Sequence, residues 1–138
     1  MNHKNVTIQL FNDLNRCWEA YPNSKHHEIA LNTKDVTNQD QKWTIIDHRI
    51  TVNTRNSGTK VAECYPKSNR LETSKNDGGN QDQVFQFEPV PEESNVFYIS
   101  CNTKNQGKLY VYGNSENKEG IGLRSFNESD TELYWKIN

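Results

Sequence analysis

Three cysteines and four histidines are the side chains whose types could support nucleophilic or metal chemistry. Cys17, Cys64 and Cys101 lie far apart in the sequence, and no family signature of a catalytic cysteine surrounds any of them. Because their number is odd, at least one thiol is unpaired within the chain, and a disulfide framework is not expected. We predict buried free thiols that pack as small apolar side chains.

The histidines offer the other candidate chemistry. His26 and His27 are followed by Glu28, but this tripeptide has too few ligands for a metal and none of the spacing of known zinc motifs. His3 and His48 lie in polar, loop-like stretches. No nucleophile and base pair, metal cluster or phosphate loop is visible, so we expect no metal, no cofactor and no enzymatic activity.

Composition indicates a folded domain with long polar loops. Only 32% of the 138 residues are hydrophobic, and the mean hydropathy of -1.02 would suit a disordered chain. Aromatic residues nevertheless make up 10% and the net charge is only -2, whereas disorder goes with few aromatics or a high charge. The 16 basic residues are scattered among 18 acidic ones, so we expect no nucleic-acid partner.

The chain has no run of about 18 apolar residues, so membrane insertion is not expected. Its first residues, 1–7, are polar and lack the apolar stretch of a signal peptide. We therefore expect a cytoplasmic protein, or one that is released by a route the sequence does not show.

One short motif recurs along the chain. The sequence Asn-Gln-Asp-Gln-Lys-Trp at 38–43 returns as Asn-Gln-Asp-Gln-Val-Phe at 80–85 and, in weakened form, as Glu-Leu-Tyr-Trp at 132–135. In every copy an apolar residue follows two positions after the aromatic residue, which is the period of a half-buried strand. Each copy is therefore predicted to lead into a core-facing strand.

The motif closes a longer unit that opens with a hairpin. Two closely matching turns of Asn and Thr residues end at Gly58 and Gly107, and glycine readily adopts the positive φ that hairpin turns need. A polar turn, a third short strand and a loop then lead to the aromatic strand. The units span about 4–47, 48–91 and 95–138. Four strands in each unit predict a single all-β domain over 1–138, a β-trefoil with a six-stranded barrel and a cap of three hairpins.

The motif resembles the QxW repeat of the ricin-B-type, or R-type, β-trefoil lectins. Gln41-Lys42-Trp43 matches it in full, Gln83-Val84-Phe85 exchanges the aromatic residue, and Leu133-Tyr134-Trp135 has lost the glutamine. The resemblance covers nearly the whole chain, residues 6–138. It implies a framework role for the aromatic and glutamine residues of the motif, namely Trp43, Phe85, Trp135, Gln41 and Gln83.

The resemblance also implies where sugars would bind. R-type lectins place an acidic residue on the second strand of each unit, where it accepts hydrogen bonds from two sugar hydroxyls. That position is Glu19 in the first unit and Glu63 in the second, whereas the third unit has Val111 and is expected to be inactive. The polar residue before the glutamine, which completes the family's site, is Asp40 in the first unit and Asp82 in the second.

Two departures from the family pattern leave the sugar identity open. Two carboxylates that face one pocket would repel each other unless a cation, a shared proton or a ligand amine lies between them. The aromatic ring that stacks on the sugar is also missing, since Leu31 and, in the second unit, Thr73 or Ser74 stand in its place. Tyr21 and Tyr65, just after the two glutamates, are the candidate substitutes; the alternative is that they cover the bases of hairpins.

The expected function is carbohydrate binding, with galactose- or N-acetylgalactosamine-type glycans of glycoproteins or glycolipids as partners. The domain would act alone or as part of a toxin. Shallow sites bind weakly, so a homodimer or a larger toxin-like complex would raise the avidity. The alternative is a protein-binding β-trefoil with degenerate sugar sites, such as an adapter, a toxin component or a protease inhibitor.

Overall fold

A computed structural model describes residues 1–21, 27–114, 116 and 120–138 of the chain. The strands are β1 His3–Val6, β2 Ile8–Leu10, β3 Asp13–Ala20, β4 Glu28–Thr33, β5 Trp43–Ile46, β6 Arg49–Thr54, β7 Gly58–Tyr65, β8 Arg70–Ser74, β9 Phe85–Pro89, β10 Val96–Thr103, β11 Gly107–Gly113, β12 Ile121–Arg124 and β13 Tyr134–Ile137. Short 3-10 helices cover Gln39–Gln41, Pro66–Ser68, Gln81–Gln83 and Thr131–Leu133. Within the described ranges, no helix has the length and apolar character needed to cross a membrane.

The strands form one antiparallel sheet that curls back on itself. Their order is β1-β5-β6-β7-β8-β4-β3-β2-β13-β10-β11-β12, and β9 pairs with β10. The pairing of β2 with β13 brings the two ends of the chain together. There the amides of Thr7 and Asn138 each donate to the carbonyl oxygen of the other residue at 3.0 Å. The all-β class predicted from the sequence is confirmed.

The first strand of the predicted first unit is broken in two. Its first half, β1, pairs with β5, and its second half, β2, pairs with β13. Gln9 on β2 is a polar residue that is only 3% exposed. Its amide nitrogen donates to the carbonyl oxygen of Leu14 at 2.7 Å, and its amide oxygen accepts from the Thr7 hydroxyl at 2.9 Å. Burial of this polar side chain is tolerated because both ends of the amide are paired.

Three fully buried tryptophans organise the core. The ring of Trp18 meets the ring of Trp43 edge to face at 5.8 Å and that of Trp135 at 5.6 Å. The indole nitrogens of Trp43 and Trp135 donate to the carbonyl oxygens of Trp18 and Val111 at 3.1 and 2.9 Å. Phe85 is also fully buried. The predicted core position of the motif's aromatic residues is therefore confirmed.

The cysteines are buried free thiols, as predicted. Burial raises the pKa of Cys17 to about 12 and raises that of Cys64 well above its usual range. Both side chains therefore remain neutral thiols near pH 7, and a thiol is a poor nucleophile compared with a thiolate.

Some sequence predictions lie outside the described residues. These are the turn at Pro22, Asn23 and Ser24, the end of the turn at Ser115, and His26 of the His-His-Glu tripeptide. His27 is described, and its Nδ1 lies 3.3 Å from the hydroxyl of Tyr21.

Candidate functional site

Each copy of the repeated motif begins with a capped turn. The side-chain oxygen of Asn38 accepts a hydrogen bond from the amide of Asp40 at 2.9 Å and caps the helix Gln39–Gln41. Asn80 and Asp130 make the same contact in the second and third repeats, at 3.0 Å. Asn and Asp favour this position because their short side chains reach the backbone amide two residues on.

Behind each of the first two turns, the glutamine of the motif holds the loop against the sheet. Gln41 Oε1 accepts from the amide of Asp35 at 2.8 Å, and Gln41 Nε2 donates to the carbonyl oxygen of Thr33 at 2.9 Å. The same Nε2 donates to Glu19 Oε1 on β3 at 2.8 Å. The predicted framework role of this glutamine agrees with these contacts.

A shallow cavity of about 730 Å³ opens beside Glu19, and we call it the first cavity. Glu19 Oε1 accepts from Asn38 Nδ2 and Gln41 Nε2, both at 2.8 Å, and from Asn32 Nδ2 at 3.3 Å. Among the described residues, Glu19 Oε2 has only the long contact with Asn32, also at 3.3 Å. One oxygen of this carboxylate is thus saturated, and the other retains capacity to accept. The lining residues are Glu19, Asn32, Thr33, Lys34, Asp35, Val36, Asn38, Gln41 and Arg55.

The second repeat forms an equivalent cavity of about 550 Å³, the second cavity. Gln83 Nε2 donates to Glu63 Oε1 at 2.7 Å, which repeats the contact of the first cavity. Glu63 is half-buried, whereas Glu19 is only 5% exposed. Tyr65 also lines this cavity, with its hydroxyl 3.2 Å from Ser74 Oγ. The pKa of Tyr65 is raised, mainly by burial, so the phenol is neutral near pH 7.

Arg49 fixes the rim of the second cavity. Its guanidinium donates to Gln83 Oε1 at 2.8 Å, to Asn76 Oδ1 at 3.0 Å and to the carbonyl oxygen of Gly78 at 3.2 Å. A planar guanidinium suits this task because several of its N–H groups act at once in a fixed geometry. Arg49 therefore ties β6 to the loop that carries the cavity.

The structure brings together only part of the predicted site. Asp40 Oδ1 accepts from the backbone amide of Arg55 at 2.9 Å, and Asp82 Oδ1 accepts from that of Lys104 at 2.8 Å. These two carboxylates hold the hairpin of the following repeat and are not among the described residues that line the cavities. The second acid that lines each cavity is instead Asp35 in the first and Asp77 in the second, so the predicted pairs of Glu19 with Asp40 and Glu63 with Asp82 do not share a pocket.

The two candidate tyrosines also differ in position. Tyr65 lines the second cavity beside Glu63, as proposed from the sequence. Tyr21 does not line the first cavity; it lines a smaller cavity of about 230 Å³ that adjoins the second cavity and shares Tyr65 with it. Glu19, Glu63 and Tyr65 are thus the predicted site residues that border the two repeat cavities.

The third repeat has two apolar residues in place of the glutamate and glutamine that are paired in the first two repeats. Val111 stands where the other repeats have glutamate, Leu133 stands where they have glutamine, and both are fully buried. Arg124 forms ion pairs with Asp130 at 2.8 Å and Glu132 at 3.4 Å. In the described part of the third repeat, Val111 therefore takes the place of the acidic acceptor that borders the first and second cavities.

Sequence reasoning missed the asparagines that line the cavities. Asn38 and Asn80 each precede the motif's glutamine by three residues, and Asn32 and Asn76 belong to the preceding segments. The recurrence of asparagine at the first position of the motif was the available signal. The side-chain oxygen of this asparagine caps the turn, which accounts for the recurrence. Its side-chain nitrogen lies on the cavity side.

No known protein family matches this sequence, and no curated protein matches it. Solved structures do match. The BEL β-trefoil is 13% identical with a TM-score of 0.73, and the match covers 97% of this chain and 92% of that chain. SeviL bound to asialo-GM1 saccharide is 15% identical with a TM-score of 0.68, and the match covers 99% and 98%.

A third similar structure is the β-trefoil lectin of the Vibrio vulnificus hemolysin/cytolysin with N-acetyl-D-lactosamine bound. It is 12% identical with a TM-score of 0.71, and the match covers 98% of this chain and 94% of that chain. The agreement over nearly the full length of each chain shows that the fold is a β-trefoil.

Proposed function

We propose that this chain is a carbohydrate-binding lectin with shallow sugar sites in its first and second repeats. The observation that carries the proposal is the repeated carboxylate at each cavity. Gln41 holds Glu19 at 2.8 Å, and Gln83 holds Glu63 at 2.7 Å. A carboxylate that is fixed in this way accepts several hydrogen bonds from sugar hydroxyls, and charge-assisted bonds are roughly twice as strong as neutral ones.

The similar structures support the proposal. SeviL is described with the asialo-GM1 saccharide, and the Vibrio vulnificus lectin is described with N-acetyl-D-lactosamine. We infer that galactose- or N-acetylgalactosamine-type glycans of glycoproteins or glycolipids are the ligands here too. A binding role without catalysis agrees with the neutral, buried thiols of Cys17 and Cys64.

We infer that the second cavity is the stronger of the two. Glu63 is half-buried and receives a short hydrogen bond from Gln83, so its remaining acceptor sites face the cavity. The ring of Tyr65 borders the same space and offers an apolar face to a sugar ring. Glu19 is more deeply buried and is already engaged by the three amides of Asn32, Asn38 and Gln41.

We also make inferences about the family relationship, domain structure and assembly of the chain. We infer a relationship to the ricin-B-type lectins, a single domain over 1–138, and three repeats that build a six-stranded barrel with a cap of three hairpins. Shallow sites gain avidity when several are presented together, so the domain would act in a homodimer or in a larger toxin-like complex. We also propose that the protein is cytoplasmic or is released from the cell.

A glycan array tests the proposed function. The protein is labelled and presented multivalently so that weak sites register, and Glu19→Gln and Glu63→Gln variants are compared with the unmodified chain. We expect binding to glycans with terminal galactose or N-acetylgalactosamine, a severe loss in Glu63→Gln and a smaller loss in Glu19→Gln. The matched control is Glu88→Gln, which removes one exposed carboxylate that is paired with Lys108.

The outcome separates two functions. Glycan binding that all three variants retain would contradict the assignment of the glutamates. A blank array from protein that unfolds cooperatively would favour the second candidate, a protein-binding β-trefoil with degenerate sugar sites. The specific observation behind that candidate is Phe126, which is 48% exposed and lies 5.2 Å from the Tyr98 ring and 5.0 Å from the Tyr110 ring.

A further inference from the structure

Another concavity, of about 610 Å³, lies on the outward face of β5, β6 and β7. It shares no lining residue with the first or second cavity. We call it the threonine cavity, and its lining residues are Asn5, Gln39, Lys42, Thr44, Thr51, Asn53 and Thr59.

The lining of the threonine cavity has an unusual chemistry for this acidic chain. Every lining residue is polar, and none carries a carboxylate or an aromatic ring. Lys42 supplies the only charge, and within the described residues its ammonium group has no hydrogen-bond or ion-pair partner. The side chains of Thr59 and Asn53 are likewise without a hydrogen-bond partner in that part of the chain. Several donors and acceptors are therefore available to a ligand.

The sheet holds this lining in place. Thr44 and Thr51 are directly opposite each other on β5 and β6, and the Thr51 hydroxyl donates to the carbonyl oxygen of Thr44 at 3.1 Å. Gln39 Nε2 donates to the carbonyl oxygen of Asn53 at 2.9 Å. On the β1 side, the amide of Asn5 donates to Thr44 Oγ1 at 3.3 Å. Groups positioned by paired strands lose little conformational freedom when a ligand binds.

The equivalent faces of the other repeats have a different lining. The strand pair β13 and β2 carries Tyr134 and Phe11 at the positions of Lys42 and Asn53, and these two rings pack edge to face at 5.3 Å. Opposite Gln86 in the pair of β9 and β10 lies Ser100, which is 1% exposed, whereas the corresponding Thr51 is half-buried. In the same region Lys108, at the position of Thr59, is paired with Glu88 at 2.9 Å, so that face presents a carboxylate that the threonine cavity does not have.

We propose that the threonine cavity binds an acidic saccharide, a sugar that bears a carboxylate or a sulfate group. Amide and hydroxyl side chains both donate and accept, which matches the hydroxyls of a sugar ring. Lys42 pairs with the anionic group, and the lining contains no carboxylate that would repel it. Of the first, second and threonine cavities, only the threonine cavity has described lining residues that include a positive charge and no carboxylate. This site is independent of the proposed sites in the repeats.

The probes that test this site are 3′-sialyllactose, sulfated lactose and plain lactose, titrated into isotopically labelled protein and followed by amide NMR shifts. We expect the two acidic probes to shift the amides of Thr44, Thr51 and Thr59, and the affinity to fall as salt is added. Lactose leaves these amides unchanged. A preference between the two acidic probes identifies which anionic group the cavity takes.

Two variants and a control locate the binding. Lys42→Gln removes the charge but keeps a polar side chain, and it is expected to weaken acidic binding about tenfold, the usual effect of losing a hydrogen bond to a charged group. Thr59→Glu places a carboxylate at an exposed lining position and is expected to abolish acidic binding. Lys67→Gln removes an exposed lysine of the helix Pro66–Ser68 and serves as the control.

Each alternative result overturns the proposal. Equal affinity in Lys42→Gln and Lys67→Gln would show that Lys42 does not receive the anion. Shifts confined to the first cavity, for example at Arg55, would place the acidic sugar there. Absence of binding by both acidic probes at millimolar concentration would exclude the site. None of these results depends on whether neutral glycans bind the repeats, so the two proposals fail separately.

Discussion

The side-chain amide of Gln41 donates to Glu19 Oε1 at 2.8 Å and links the repeated motif to the second strand of its own repeat. The third repeat exchanges both partners together, with Leu133 for the glutamine and Val111 for the glutamate. Loss of one partner alone would leave a buried polar group without its hydrogen bond, whereas a joint exchange leaves neither group unsatisfied. The third repeat thus shows an apolar solution to the same packing problem.

This relationship predicts strong coupling between the two positions. Gln41→Leu should lower the free energy of unfolding by about 1–3 kcal/mol, because it leaves the carboxylate of Glu19 without one of its donors. The double variant Glu19→Val/Gln41→Leu, which copies the third repeat, should cost less than the sum of the two single variants. Urea unfolding of all four proteins measures the coupling energy. Strictly additive effects would show that the pair does not act as a unit.

The motif's tryptophan gives a graded prediction. Trp43→Ala should cost about 3–5 kcal/mol, since a fully buried aromatic side chain is lost from the core. Trp43→Phe copies Phe85 of the second repeat and should cost clearly less, although it loses the hydrogen bond to the carbonyl oxygen of Trp18. Thermal and chemical unfolding measure both. An alanine variant as stable as the phenylalanine variant would contradict the core position of Trp43.

Sequence patterns predicted the strands well because the alternation and turn signals involve residues that are close in the sequence. The alternation after Trp43 and Phe85, and the turns that end at Gly58 and Gly107, depend on neighbouring residues and on backbone sterics. Both glycines indeed have a φ of 71°, in the left-handed region. The break of the first strand between β1 and β2 was not predictable, because it depends on which distant strands pair with each half.

The site was harder to predict because each of its polar side chains has several possible hydrogen-bond partners. Asp40 precedes the motif's glutamine and could face the first cavity. Instead, its carboxylate accepts a hydrogen bond from the backbone amide of Arg55 in the next hairpin. That hairpin belongs to another repeat, so the contact has no local signature. Glu19 can be buried because side-chain amides from three separate positions donate hydrogen bonds to its carboxylate. No short sequence pattern predicts that these three amides meet.

Gly113 in the third repeat lies where the surrounding core leaves no room for a larger side chain. A Cβ atom on Gly113 would lie 2.5 Å from Leu10 Cδ1 and 2.7 Å from the Trp135 ring. Gly113→Ala should therefore destabilise the protein by about 1–3 kcal/mol, as overpacking of a close-packed core does. Gly78→Ala is the matched control, because a Cβ there meets no other atom within 4 Å. Equal stabilities of the two variants would contradict the tight packing at Gly113.

The buried thiol of Cys17 predicts how stability depends on alkaline pH. Burial raises its pKa from the ordinary value of 9.0 to about 12 in the folded chain. Folding therefore favours the neutral thiol. Its contribution is fully present below pH 9 and is lost as the pH rises towards 12, because only the unfolded chain then releases the proton.

The variant Cys17→Ala isolates this effect from the other groups that titrate in the same range. The difference in unfolding free energy between the unmodified chain and Cys17→Ala should be constant near neutral pH and should shrink above pH 9. Alkylation gives a second measurement, because iodoacetamide reacts with thiolate: the folded protein should resist labelling at Cys17 and the urea-unfolded protein should react. A difference that stays constant through the alkaline range, or rapid labelling of the folded chain, would show that the thiol is accessible to water, and the close packing of Cys17 in the core would then be wrong.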